Sequence, residues 1–384
     1  MTPQKSSLLP FADIDSKMHK TPTYDPTYAM SFYRSQRERE ILYIAPLAEK
    51  GGKIQAEITE RMRIVLIDWL VNISESHKFG LNTYCLAVHL VDFALALMPV
   101  TRNEFQLLGC TCMWLAAKLE EMCPPMAENL LYVSANCFDA NALVQMEQRL
   151  IALLGYKPLI PTRNYFSMRF GRAAGLSDKE QALANYLVEV SLFDASLSHI
   201  VASKVAAAAV LLAMLIAAVH LPRNKGVVPS ESLWSRSLEH YSEYFEEELV
   251  DLVLQLRALH FYFEESENHK NIIKKWEKPV YHRVAHVCAL RLEDVNFASP
   301  AARCVSQAWR EDDKVRAKAK EEGQKVKKRE EATSDEADAP PRKRESGSLY
   351  FTPPHFIDDE DDDDEEIEEE EGEKEKDVGL KTSS

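Results

Sequence analysis

At 384 residues and 46% hydrophobic content, the chain is long enough for two or three domains, each able to bury its own core. Its net charge of −15 is mostly terminal: from residue 310 onward 15 Lys and Arg face 27 Asp and Glu, which leaves the first 309 residues near −3. So nearly neutral a body lacks the clustered cations that displace counterions from phosphates, which excludes a broad nucleic-acid surface.

Residues 1–23 are rich in Pro, Ser, Thr and Lys without helical periodicity and are expected to form a flexible leader. The leader has no apolar core of signal-peptide length, so secretion is not expected. A helix is predicted over 28–47, ending before Gly51-Gly52. Five more follow. Met62, Val65, Leu66, Trp69, Leu70 and Ile73 form one apolar stripe at helical spacing, and Leu86, Leu90, Val91, Ala94 and Leu97 form the next, closed by Pro99. The third, over 105–122, is apolar on nearly every face and must lie inside the others. After Pro124-Pro125 come a short helix over 128–132 and a longer one from its cap Asp139 to Gly155, a residue suited to a C-terminal cap.

Beyond Pro158 and Pro161 the same order of segments starts again: 163–172, 177–193, the apolar 198–220, 230–239 and 244–263. The run 205–219 carries no charge but falls short of the ~20 residues that span a bilayer, so it reads as a buried central helix and no membrane contact is expected. Two similar helical bundles result, each wrapped around its own third helix. A helical extension carrying Trp276 and Pro279 is predicted over 268–292. Past residue 299 the chain is charged and aperiodic, and the acidic stretch 358–371 should stay extended through self-repulsion.

Enzyme signatures are missing. No Gly-x-Gly-x-x-Gly, phosphate loop or Gly-x-Ser-x-Gly elbow occurs, so no catalytic residue and no cofactor are assigned. Cys110 and Cys112 point to different faces of one helix, and His282 and His286 lack the glutamate of a zinc protease, so no metal site is expected. The seven cysteines, an odd number and mostly within apolar helical stretches, fit free thiols in a reducing compartment.

Several strings carry a family resemblance: Met62-Arg63-Ile64-Val65-Leu66-Ile67-Asp68-Trp69-Leu70, Leu86-Ala87-Val88-His89-Leu90-Val91-Asp92, Gln106-Leu107-Leu108-Gly109, Ala116-Ala117-Lys118-Leu119-Glu120-Glu121 before Pro124-Pro125, and Met146-Glu147. In this order and spacing they resemble the cyclin family, and within it the mitotic A and B types. The second half is similar more weakly, through Pro161-Thr162, Tyr186-Leu187-Val188-Glu189 and 199–209, and with Leu238-Glu239-His240-Tyr241 it leans towards the B type. The resemblance implies an all-α fold of two tandem five-helix cyclin boxes with an N-terminal helix and a disordered acidic tail. The expected segments are a leader over 1–23, the N-terminal helix and linker over 24–56, boxes over 57–160 and 161–265, the extension over 266–298 and the tail over 299–384.

The resemblance further implies a non-catalytic subunit that pairs with a cyclin-dependent kinase catalytic subunit in a heterodimer and activates it during the cell cycle. Lys118 and Glu147 match the polar pair that grips the kinase's regulatory helix, with Leu119, Ile151 and Tyr156 as apolar neighbours. Met62, Val65, Leu66, Trp69 and Gln106 match a shallow patch that docks substrates and inhibitors bearing an Arg-x-Leu motif. The family's acidic residue beside that patch is Asn72 here, and Glu75 is the candidate to compensate. Arg63 and Asp92 match a buried ion pair tying the first two box helices together. Read from the residues alone, Lys118 and Glu147 are more often plain surface charges, and Leu119, Ile151 and Tyr156 are core packing.

In the tail, Lys327-Lys328-Arg329 and Arg342-Lys343-Arg344 have the spacing of a two-part nuclear import signal, although a solvated charge run fits the residues equally. Nuclear residence with a cytoplasmic pool is the expectation that the family resemblance favours. The alternatives are a transcription regulator on the same fold, against which the near-neutral body counts, and a helical scaffold that activates nothing.

Overall fold

A computed structural model describes residues 14–15, 25–50, 55–220, 233–265 and 270–290. The described residues contain helices and no strand. The first, α1 (Pro26–Lys50), precedes a bundle of α2 (Glu60–Ser76), α3 (Leu81–Leu97), α4 (Arg102–Glu120), α5 (Ala127–Val133) and α6 (Ala140–Leu153). The second bundle comprises α7 (Arg163–Ala174), α8 (Asp178–Ser191), α9 (Ala202–His220), α10 (Arg236–Ser242) and α11 (Glu246–Glu265). In each, the third helix is central: α4 packs against α2, α3, α5 and α6, and α9 against α7, α8, α10 and α11.

Local chemistry sets the helix ends. The Thr59 hydroxyl accepts from the Met62 amide to open α2, and Asp139 does the same for Ala142 in α6. Ser177 and Glu180 form a reciprocal capping box on α8. Beyond α6, Gly155 takes the left-handed conformation that a helix stop requires, with φ +56°. The central helices bury nearly every side chain from Phe105 to Ala117 and from Val205 to Ala217. Thus α9, the one described helix long and apolar enough to cross a membrane, spends that apolarity on the core of the second bundle.

The predicted extension differs from the observed one. A short α12 (Lys270–Trp276) is followed by two single 3-10 turns, Pro279–Tyr281 and Val284–His286, in place of one continuous helix. Pro279 has no amide hydrogen to continue the α12 ladder, and His282 and Arg283 both adopt positive φ. The α10 helix likewise starts later than predicted, at the capping Ser235 hydroxyl that accepts from the Leu238 amide.

The N-terminal helix spans both bundles. Tyr43 in α1 donates its hydroxyl to the Lys157 carbonyl and packs edge-on against Phe93 of the first bundle, 5.9 Å between ring centroids. One end of the same helix reaches the second bundle, where the Tyr33 hydroxyl donates to the Tyr241 carbonyl at 2.6 Å. Between them, buried Glu40 accepts from the Ser203 amide at 2.8 Å and the Ser203 hydroxyl at 2.7 Å, placing a carboxylate at the positive N-terminus of α9. Burial pushes the Glu40 carboxyl above its ordinary value against these hydrogen bonds and Arg37.

Candidate functional site

The last turn of α4 carries Lys118, and the middle of α6 carries Glu147. The Lys118 ammonium donates to both Glu147 carboxylate oxygens, at 2.7 and 2.9 Å. It also lies 3.2 Å from the centre of the Trp114 ring, which is anchored by its own indole N–H donating to the Pro125 carbonyl at 3.0 Å. Water still reaches the pair, with side-chain exposures of 33% for Lys118 and 13% for Glu147. An ion pair so placed contributes on the order of 0–1 kcal/mol, so its two charged ends can change partners at little cost.

Apolar groups frame the pair. Leu119 and Ile151 are half-buried, packed against the core by one side. Tyr156 is 76% exposed and holds φ +61°, directly after Gly155. A bulky residue rarely adopts that conformation, and here it projects an aromatic ring into solvent. The Tyr43–Lys157 hydrogen bond draws α1 against this connector, and Ile41 and Leu42 beside Tyr43 are exposed, as are Tyr28 and Phe32 further up the helix. Met122 and Leu159, on the segments following α4 and α6, are exposed too. None of these six belongs to the set read from the strings. The available signal was weak: an apolar residue facing outward from a helix that otherwise reads as polar.

The two glutamates of the Lys118-Leu119-Glu120-Glu121 string have separate roles. Glu121 turns back to the start of α3, where its carboxylate accepts from the Gly80 amide at 2.8 Å and the Thr83 hydroxyl at 2.5 Å. Glu120 is exposed, and desolvation with the neighbouring Glu121 raises its carboxyl.

Arg63 and Asp92 form a two-pronged pair, Nε to Oδ1 at 2.6 Å and Nη2 to Oδ2 at 2.8 Å. The guanidinium reaches further than the family resemblance implied: it also donates to the Leu192 and Phe193 carbonyls at the end of α8, at 3.0 and 3.3 Å. Burial depresses the Arg63 guanidinium, but adjacent Asp92 outweighs burial and holds it above its ordinary value. The pair therefore fastens one bundle to the other as well as α2 to α3.

On α2, Val65 is 43% exposed, Met62 and Trp69 are half-buried, and Leu66 is buried at 2%, while Gln106 on α4 is half-buried. Leu66 lies beneath this patch because α2 crosses α4 at Gly109, where a Cβ would come 2.7 Å from the Leu66 side chain. Glu75, the candidate to stand in for an acid at Asn72, is already engaged by Lys278 of the extension at 2.6 Å. Beside the patch, Asp68 accepts from the Asn271 side chain at 2.8 Å. Burial raises its carboxyl to about 6, against the opposing hydrogen bonds from Asn271 and Ile272.

Among the described residues no three His, Cys, Asp or Glu converge as metal ligands. Cys110 and Cys112 are buried thiols, and burial pushes Cys110 up to about 12, far from the thiolate that a metal needs. The import-signal residues Lys327, Lys328, Arg329, Arg342, Lys343 and Arg344 lie outside the described residues.

Fold and site together define an all-helical tandem-bundle protein with a water-accessible lysine–glutamate pair set among apolar groups. Residues 31–157 match the cyclin N-terminal domain family and residues 161–290 the cyclin C-terminal domain family. Cyclin-A1-4 of Oryza sativa subsp. japonica is 32% identical over 278 residues, covering 71% of this chain and 74% of the relative. Cyclin-A1-2 of the same plant is 33% identical over 252 residues, covering 64% of this chain and 50% of the relative. The G2/mitotic-specific cyclin-B3 of Gallus gallus is 31% identical over 274 residues, covering 71% of this chain and 64% of its own length. The chain spans about half the length of several of the rice relatives it matches. The X-ray structure of a viral cyclin from herpesvirus saimiri shares the fold, with a TM-score of 0.51, 19% identity, and coverage of 59% of this chain and 95% of that one.

This chain therefore belongs to the cyclin family. Its relatives are of both A and B type, and the lean towards B rests on the strings of the second box alone.

Proposed function

We propose that the protein is a non-catalytic regulatory subunit that binds a cyclin-dependent kinase in a heterodimer and activates it, in the manner of mitotic A- and B-type cyclins. The observation that carries this reading is the exposed Lys118–Glu147 pair, which satisfies itself in the free subunit and is framed by Leu119, Ile151 and Tyr156. A kinase helix seated there exchanges the pair's mutual bond for bonds to its own backbone and charged groups, while the apolar frame supplies the burial that drives association. On α1, the exposed Ile41 and Leu42, beside the Tyr43 that bonds to Lys157, extend that frame. Held in this way, the kinase helix keeps the glutamate of its Lys–Glu ion pair in the position that phosphoryl transfer requires.

The deciding experiment mixes the purified chain with cyclin-dependent kinases and measures phosphorylation of a histone-type substrate. Lys118→Ala with Glu147→Ala should lower activation at least tenfold, with a melting temperature close to wild type. Equal activation by both proteins rejects the contact pair, and no activation of any kinase favours the scaffold.

The α2 patch is proposed to dock Arg-x-Leu segments through Met62, Val65, Trp69 and Gln106 over the buried Leu66. With Asn72 uncharged and Glu75 held by Lys278, the motif's arginine gains little here, so the leucine dominates recognition. Nuclear residence with a cytoplasmic pool is proposed from the paired basic clusters at 327–329 and 342–344. Deleting 325–345 should keep a tagged protein cytoplasmic, and an unchanged nuclear signal rejects that assignment.

A further inference from the structure

The leader was expected to make no ordered contact, yet Ile14 and Asp15 are seated in a cradle of three helices. Asp15 is only 6% exposed, and its two oxygens accept from Arg169 Nη1 at 3.2 Å and Nη2 at 2.9 Å. Arg169, on α7, is itself 9% exposed and lies between two aromatic rings, 4.7 Å from the centre of Tyr33 on α1 and 5.5 Å from that of Tyr241 on α10. Its Nη2 also meets the Met30 sulfur at 3.1 Å. The segment's backbone is read as well: the Ile14 amide donates to the Tyr241 hydroxyl at 3.1 Å.

These features belong to a recognition site. A planar guanidinium fixed between rings presents a fork of N–H groups matched to a carboxylate. A buried guanidinium without an anion is strongly unfavourable, so the cradle requires a negatively charged side chain.

We propose that Arg169, Tyr33 and Tyr241 form an acidic-peptide site on the second bundle, filled in cis by the leader at Ile14-Asp15. The leader is thereby a latch, closed by contacts that include the charged fork and the Ile14 amide. The short tether between Asp15 and α1 gives the latch an effective concentration of about millimolar, so it stays closed even with weak intrinsic affinity. The same site accepts an acidic peptide in trans when one is supplied at comparable concentration. None of this depends on kinase binding.

Limited trypsin digestion of the full chain tests the latch, because cleavage after Lys17 needs the flanking residues free and extended, whereas Lys5 lies well upstream. Asp15→Asn should speed the Lys17 cut at least tenfold while leaving the Lys5 cut unchanged. Arg169→Gln should produce the same acceleration, and the double variant should be no faster than either single one. A synthetic peptide of residues 9–16, which contains no trypsin site, should at about millimolar concentration open the wild-type latch and accelerate the Lys17 cut. The same peptide carrying the Asp15→Asn change should not. Equal Lys17 cleavage in wild type and the full-length Asp15→Asn variant overturns the latch. Equal acceleration by the two peptides overturns the acidic-peptide site. Should Arg169→Gln melt early, the Asp15→Asn and peptide results decide alone.

Discussion

Two lysine–glutamate pairs of nearly the same length sit in opposite surroundings. Lys275 on α12 meets Glu189 on α8 at 2.9 and 3.1 Å, with both groups buried and the Trp276 indole N–H donating to the same carboxylate at 2.8 Å. Lys118 meets Glu147 at 2.7 and 2.9 Å on a wetted ridge. Distance says nothing about which pair holds the protein together. Desolvation does: a buried charge that loses its partner stays uncompensated, whereas an exposed one is recovered by water.

The largest effect should come from breaking the buried pair on one side. Glu189→Ala is expected to cost roughly 3–5 kcal/mol, read as a lower midpoint in chemical denaturation. A loss under about 1 kcal/mol would show that the extension contributes little to holding the bundles. Asp92→Ala should cost a similar roughly 3–5 kcal/mol, since it strands Arg63 between two bundles; an unchanged melting temperature refutes that role. Gly109→Ala comes next, at about 1–3 kcal/mol, because its new methyl meets the buried Leu66 side chain at 2.7 Å and forces it to repack. Crystallography of that variant should show the Leu66 side chain displaced.

A smaller effect depends on pH. Asp68 holds its proton to about 6 in the folded chain against an ordinary 3.8, so between those values the folded state binds more protons than the unfolded one. Stability from this group therefore falls as pH rises from about 4 through 6. Asp68→Asn removes the effect, so the stability of the variant relative to wild type should rise by about 1–2 kcal/mol across that window. Melts at pH 4 and pH 7 that keep the same offset would show that folding leaves the Asp68 carboxyl at its ordinary value. Least of all, the double variant Lys118→Ala, Glu147→Ala should change stability by no more than about 1 kcal/mol, which separates its expected loss of kinase activation from any loss of fold.

Much of this architecture was legible because short-range chemistry writes it. The apolar runs of α4 and α9 could only be central helices, and Asp139 and Gly155 marked the two ends of α6. The strings around Lys118 and Glu147 pointed to a pair that the fold brings within hydrogen-bond distance across 29 residues of sequence. What could not be read were partners chosen by tertiary packing. Nothing local tells Glu40 that it will meet the start of α9, Asp15 that Arg169 awaits it, or Arg63 that its second pair of acceptors lies just past the end of α8. Leu66 misled for the same reason, since its stripe position matched Val65 and only the Gly109 crossing separates floor from surface.

The way α1 is fastened has a mechanical consequence. Anchored to one bundle at Tyr43 and to the other at Tyr33 and Glu40, it acts as a splint across the proline-marked joint at 158–161, where two such bundles would otherwise flex. Under the proposed kinase pairing, a mobile kinase segment closing here would meet a surface that has already surrendered its freedom during folding. The entropy of ordering would then fall on the kinase side, with this chain as the anvil against which that partner is shaped.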